Sequence, residues 1–244
     1  METEHIVKSY DQDLEQLDRM IAEMGGLAES QLALAVDSLV RRDPELAARV
    51  IDGDQRIDDL EVEIDIFTIK LLALRQPLAD DLRSIIAALK LSSNLERIGD
   101  YAKNVAKRTI TISQSPQLSG TANTITRMST LVQGMIKNVL DAYMTRDVKL
   151  AEDVRTKDQE VDTLYTSFFR ELLTYMMEDP RNITTCTHLL FIAKNVERIG
   201  DHATSMAEQV HFMVEGVMPE DERQKGDTSS FTMVKPEDAE GNQA

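Results

Sequence analysis

The chain has 244 residues and a formal net charge of −16, with 10 glycines, 6 prolines, one cysteine and no tryptophan. Abundant Ala, Leu, Met, Glu and Arg with little Gly or Pro is the vocabulary of helices, and it predicts an all-α protein. The acidic balance excludes nucleic acid as a partner, because phosphate binding needs cationic side chains that release counterions. The lone Cys186 excludes an internal disulfide and a thiolate metal cluster.

Tyr10, Leu14, Leu17, Ile21, Met24 and Ala28 step by three and four, one face of a helix, and the pattern continues to about Arg41 through Gly25-Gly26. Asp43-Pro44 supplies a cap and a first-turn proline, which starts a second long helix ending near Arg75. Pro77 closes it, and a third helix is expected from Leu78 to Ile112. Ser113 to Gly120 reads as a loop. Ile125, Met128, Val132, Met135 and Val139 then repeat the first pattern, Val148 to Met177 the second, and Asn182 to about Val214 the third. From Pro219 the chain is polar and acidic, with too little apolar surface to offset ordering entropy. Within it, Phe231, Met233 and Val234 form a short apolar cluster, more readily chance than a docking segment.

These elements repeat. Asn94-Leu95-Glu96-Arg97-Ile98-Gly99-Asp100 returns ~100 residues later as Asn195-Val196-Glu197-Arg198-Ile199-Gly200-Asp201. At slightly wider spacing, Asp43 matches Asp147, Leu46 matches Leu150, Asp54 matches Asp158, and Asp58 matches Asp162. The expected architecture is two tandem three-helix bundles, residues 1–115 and 116–218, followed by a flexible acidic tail, 219–244. No apolar run approaches the roughly 18 residues of a membrane span, and Met1 to Tyr10 has no signal-peptide core. A cytoplasmic protein without membrane insertion is expected.

The repeat also duplicates acids. On a helix Glu96 and Asp100 share a stripe with Leu82, Ile85 and Leu89, and Glu197 and Asp201 share one with Ile183, Cys186 and Leu190. Asp54, Asp58, Glu61 and Asp65 line the second helix, and Asp158 and Asp162 its counterpart. Like charges four residues apart are destabilising unless something compensates them. A multivalent cation would do so, since such clusters offer the hard oxygen ligands suited to magnesium, manganese, calcium and, less selectively, iron. The plainer compensators are Lys103, Lys107, Lys194, Arg97 and Arg198. Gly99 and Gly200, inside predicted helices, point to tight packing or to the close approach of a backbone or an ion.

No nucleophile motif and no glycine-rich phosphate loop is present, so no enzyme is expected. A carboxylate-bridged oxidase wants Glu-x-x-His on two helices, and only Glu208 to His211 fits within a predicted core helix. His188, His202 and His211 read as ordinary helix residues. A metal-buffering or redox bundle and a purely structural scaffold are two function classes open to such a chain.

The paired Asn-x-Glu-Arg-Ile-Gly-Asp motifs, Arg75-Gln76-Pro77, and Leu173 to Asp179 closely resemble the PhoU family, accessory regulators of bacterial phosphate uptake; the likeness spans about residues 5–215. The resemblance implies metal clusters on Glu96, Asp100, Glu197 and Asp201, with Asp54, Asp58, Asp158 and Asp162 as facing ligands. The ions implied are divalent or trivalent, such as iron, manganese, magnesium or zinc. It further implies negative regulation of the phosphate-starvation response, between the ATPase subunit of a phosphate transporter and a sensor histidine kinase, by a homo-oligomer, expected as a dimer.

Overall fold

A computed structural model describes residues 2–116, 118, 120–220 and 225–233. Among them are seven α-helices and no strand: α1 (Glu2–Arg41), α2 (Pro44–Gly53), α3 (Gln55–Arg75), α4 (Ala79–Ile112), α5 (Thr121–Thr145), α6 (Val148–Glu178) and α7 (Ile183–Glu215). Helices α1 to α4 form the first repeat and α5 to α7 the second. The residues that step along α1 in the sequence face inward, with Leu17, Ile21, Met24 and Ala28 all buried. Gly25 is tolerated mid-helix because a Cβ there would stand 2.5 Å from Leu140 Cδ1 of α5, so the two helices meet across it.

Matched residues start matched helices. The Asp43 carboxylate accepts the amides of Glu45 and Leu46 at 2.9 Å each, and Asp147 accepts that of Leu150 at 3.0 Å. Each cap satisfies amides that the first turn leaves without an intrahelical partner. The residues before them, Arg42 and Arg146, both turn through the left-handed region, with φ of 55° and 58°. The Arg42 guanidinium then folds onto the end of α4, donating to the carbonyls of Ile112, Ser113 and Ser115.

The second helix of the first repeat, expected as one rod, is broken at Asp54 into α2 and α3. Asp54 keeps right-handed helical dihedrals, φ −63° and ψ −32°, so the two helices join through a local interruption rather than a loop, and Gly53, a weak helix former, precedes it. The matched position in α6 is Lys157, and α6 runs through unbroken. The other helix ends fall within a few residues of their expected places.

Helices α4 and α7 form the most extensive helix contact, supported by α1 against α5, so one continuous core joins the two repeats. Alanines 87, 88 and 102 of α4 and 193, 203 and 207 of α7 are all fully buried. The central pair leaves α3 and α6 on opposite flanks, each packed on one side against its own repeat. No helix among the described residues is long and apolar enough to cross a membrane.

The Asn-x-Glu-Arg-Ile-Gly-Asp motifs meet where α4 and α7 pack. Asn94 Oδ1 lies 2.8 Å from His202 Nδ1, and the His202 ring packs on Tyr101 with centroids 5.5 Å apart. His202 thus packs between α4 and α7. The segment 225–233, within the stretch expected as a flexible tail, lies against α6. Phe231 and Met233 point to solvent, so the apolar cluster is not what seats it; Val234 falls outside the described residues.

Two candidate acidic centres

The Asp54 carboxylate points at α4. Asp54 is 2% exposed, and its Oδ1 would be 2.9 Å from a Cβ placed on Gly99. The matched aspartate behaves alike: Asp158 Oδ1 would be 3.2 Å from a Cβ on Gly200. The motif glycines therefore clear a channel for a carboxylate oxygen of the neighbouring helix, which is the tight packing expected from the sequence, made by a side chain rather than a backbone.

In the first centre Lys103 Nζ lies 2.5 Å from Asp54 Oδ2 and 3.5 Å from Asp100 Oδ1. Arg97 reaches Asp100 Oδ2 at 3.3 Å and Glu96 Oε2 at 3.4 Å. Burial pushes the Glu96 carboxyl up to about 7, Asp100 adds to the shift, and Glu61 and Asp58 act the same way against the relief from Arg97. Asp58 is raised as well, by burial and then by Asp54. Four sequence-predicted residues, Asp54, Asp58, Glu96 and Asp100, thus share one electrostatic centre. Glu61, raised by burial and by Asp65, borders it.

In the second centre Asp158, Asp162 and Glu197 are all buried. Lys194 Nζ binds Glu197 Oε1 at 2.8 Å and rests 4.7 Å from the Tyr165 ring centroid. Burial lifts Glu197 to about 7 in spite of the lysine, with Asp201 and Asp162 adding to it. Burial opposes the charge on Lys194, but Glu197 and Asp227 overcome it and hold its pKa up to about 12. Asp227, from the tail segment, is a participant that the sequence did not announce, since it obeys no helical period and belongs to no repeat.

Both centres are short of positive charge. Among the described residues, Asp54 Oδ1 and Glu197 Oε2 are buried with no hydrogen-bond donor, and each leaves an oxygen suited to a hard cation. The donor set, all carboxylate, fits magnesium, manganese or ferric iron better than zinc. In the conformations described, however, no three His, Cys, Asp or Glu side chains among these residues converge on one ion position. One lysine ammonium occupies each centre instead. Lys103 and Lys194 are among the compensators the sequence offered: Lys103 stands three residues after the first motif, and Lys194 immediately before the second. Arg198 stands instead 5.8 Å from the Tyr101 ring.

The chain resembles known proteins over almost its whole length. The PhoU domain pattern matches it twice, over residues 21–109 and 125–210. A phosphate-specific transport system accessory protein PhoU homolog of Caulobacter vibrioides is 51% identical over 93% of this chain and 99% of its own. The homolog of that name from Rhizobium meliloti is 48% identical over 93% of this chain and 95% of its own. Two crystal structures share the fold. PhoU from Pseudomonas aeruginosa has a TM-score of 0.82 at 39% identity, covering 85% of this chain and 100% of that one. The phosphate transport system regulatory protein PhoU from Streptococcus pneumoniae has a TM-score of 0.81 at 25% identity, covering 86% and 99%. With the PhoU domain pattern matching both repeats and relatives about half identical over nearly the whole length, the chain belongs to the PhoU family.

Proposed function

We propose that this protein is an accessory regulator of phosphate uptake that keeps the phosphate-starvation response low when phosphate is plentiful. It acts as a cation-binding adaptor between the ATPase subunit of a phosphate transporter and a sensor histidine kinase, on the cytoplasmic side and as a homodimer. The observation that carries this reading is the match, across both repeats, to proteins named for phosphate-specific transport.

The acidic centres supply the cation sites. Glu96 and Asp100 with Asp54 and Asp58 would hold one, and Glu197 and Asp201 with Asp158 and Asp162 the other. The bound ion would neutralise charge and tie neighbouring helices together. Loading would displace the Lys103 or Lys194 ammonium, so occupancy and the local ion pairs change together. An adaptor also needs docking surface. Val62, Ile66 and Ile69 are exposed on α3 at steps of four and three, an apolar row suited to another helix.

The test is a phosphate-starvation reporter in phosphate-rich medium. Deleting the gene is expected to raise expression despite ample phosphate, and complementation to restore repression. Unchanged, repressed expression in the deletion strain would refute the regulator reading.

A further inference from the structure

The two centres are not equivalent, and the difference lies in the C-terminal extension. Gly226 N–H donates to Asp162 Oδ2 at 2.8 Å. Asp227 Oδ2 takes Lys194 Nζ at 3.0 Å, while its Oδ1 accepts the Ser229 amide at 2.8 Å. Thr228 N–H donates to the Thr166 hydroxyl at 3.2 Å, and that hydroxyl reaches Asp227 Oδ1 at 3.4 Å. The segment then winds into a short 3₁₀ turn, Ser229–Phe231.

Every one of these contacts is polar; Gly226, Thr228 and Ser229 contribute backbone amides, and Asp227 contributes its carboxylate. A Cβ on Gly226 would lie 3.1 Å from Asp162 Cβ and 3.3 Å from the Gln159 carbonyl oxygen, so a larger side chain there must push the segment and α6 apart. Asp162 has a counterpart in Asp58, but the other two receiving groups are absent from the first repeat. Thr166 corresponds to Val62, which has no hydroxyl and is exposed, and Lys194 corresponds to Ser93, which has no charge. Asp58 and Glu96 remain partly exposed where their counterparts Asp162 and Glu197 are buried.

We propose that the groove of α6 and α7 over the second acidic centre is a recognition site for a Gly-Asp-Thr-Ser segment, supplied by this chain's own residues 226–229. Seated, the segment straps the second centre shut and leaves the first open. The carboxylate of Asp227 holds Lys194 over Glu197, so a cation reaches the second centre only when the strap lifts. This last consequence rests on the cation reading above; the strap itself does not.

Hydrogen exchange read by mass spectrometry on the full chain tests the strap. Residues 225–231 are expected to exchange at least about tenfold slower than a free peptide, and Gly226→Val or Asp227→Ala to remove that protection. Neither substituted residue lies in a bundle helix. Free-peptide exchange in the unaltered protein, or protection undisturbed by both variants, would overturn the proposal. The consequence is read by titrating manganese(II) into the Glu96→Ala/Asp100→Ala protein, where only the second centre remains, with and without Gly226→Val. Releasing the strap is expected to tighten binding about tenfold, equivalent to about 1.4 kcal/mol. Equal affinity while exchange shows the strap released would overturn the gating. Absence of manganese binding from both would defeat the cation reading and the gating built on it, and the exchange result would decide the strap.

Discussion

Replacing a glycine by alanine inside a helix removes a cost of about 1 kcal/mol, so the sign of each substitution reports what stands opposite. Gly26 lies on the exposed side of α1 with nothing within 4 Å of its virtual Cβ, and Gly26→Ala is expected to gain roughly that amount. At Gly99 the same gain meets Asp54 Oδ1 at 2.9 Å and Ile57 Cδ1 at 3.0 Å. Neither neighbour yields freely, since Ile57 is fully buried and Asp54 is held by Lys103. Overpacking of this kind costs about 1–3 kcal/mol, which places Gly99→Ala about 0–2 kcal/mol below the unaltered protein. Gly200→Ala should fall between the two, because its nearest atom is farther away, at 3.2 Å. Thermal melting with EDTA present ranks all three. For a chain of this size the gap between Gly26→Ala and Gly99→Ala corresponds to at least about 2 °C in Tm. Equal melting of those two variants would refute the idea that the motif glycine admits the aspartate.

The raised carboxyls predict a pH dependence with a definite sign. Glu96 and Glu197 titrate near 7 when folded against 4.5 in the free residue, so the native protein holds protons that the unfolded chain has lost. Their contribution is complete below about pH 4.5 and is lost as pH rises through about 7, by at most about 3 kcal/mol each. Urea unfolding of metal-free protein should show stability falling between pH 5 and 8, with Glu96→Gln/Glu197→Gln flattening that slope; an unchanged slope contradicts the assignment. Lys103→Ala leaves the Asp54 carboxylate buried without its ion partner. Because Lys103 is a quarter exposed, the expected loss is about 1–3 kcal/mol in EDTA rather than the full penalty of a deep ion pair, with recovery on adding manganese(II). Loss without recovery would mean that the lysine and a cation do not serve the same carboxylates.

Much of this fold was legible because helices announce themselves by period and cap. The steps of three and four along α1, and Asp43 and Asp147 before α2 and α6, correspond to burial and hydrogen bonds seen in the structure. The break at Asp54 was not legible, since a glycine inside a periodic run weakens a helix without ending it, as Gly25 and Gly99 illustrate. In the site, duplication drew attention to the eight acids, and packing of α2 and α3 on α4, and of α6 on α7, brings them into two groups. The role of Gly99 and Gly200 depends on a side chain from another helix, which local spacing does not encode. The tail inverted the ordinary guide to docking. Apolar Phe231 and Met233 face water, while Gly226 and Asp227 make the contact, and a single polar segment has no period by which to be recognised.

The most direct test of the acidic centres is metal content. Full-length protein equilibrated with manganese, iron and zinc, then dialysed, would be compared by elemental analysis with the Glu96→Ala/Asp100→Ala/Glu197→Ala/Asp201→Ala variant. Cation binding at the two centres predicts retained metal in the unaltered protein and its loss in the folded variant. Equal metal content in both proteins would contradict it.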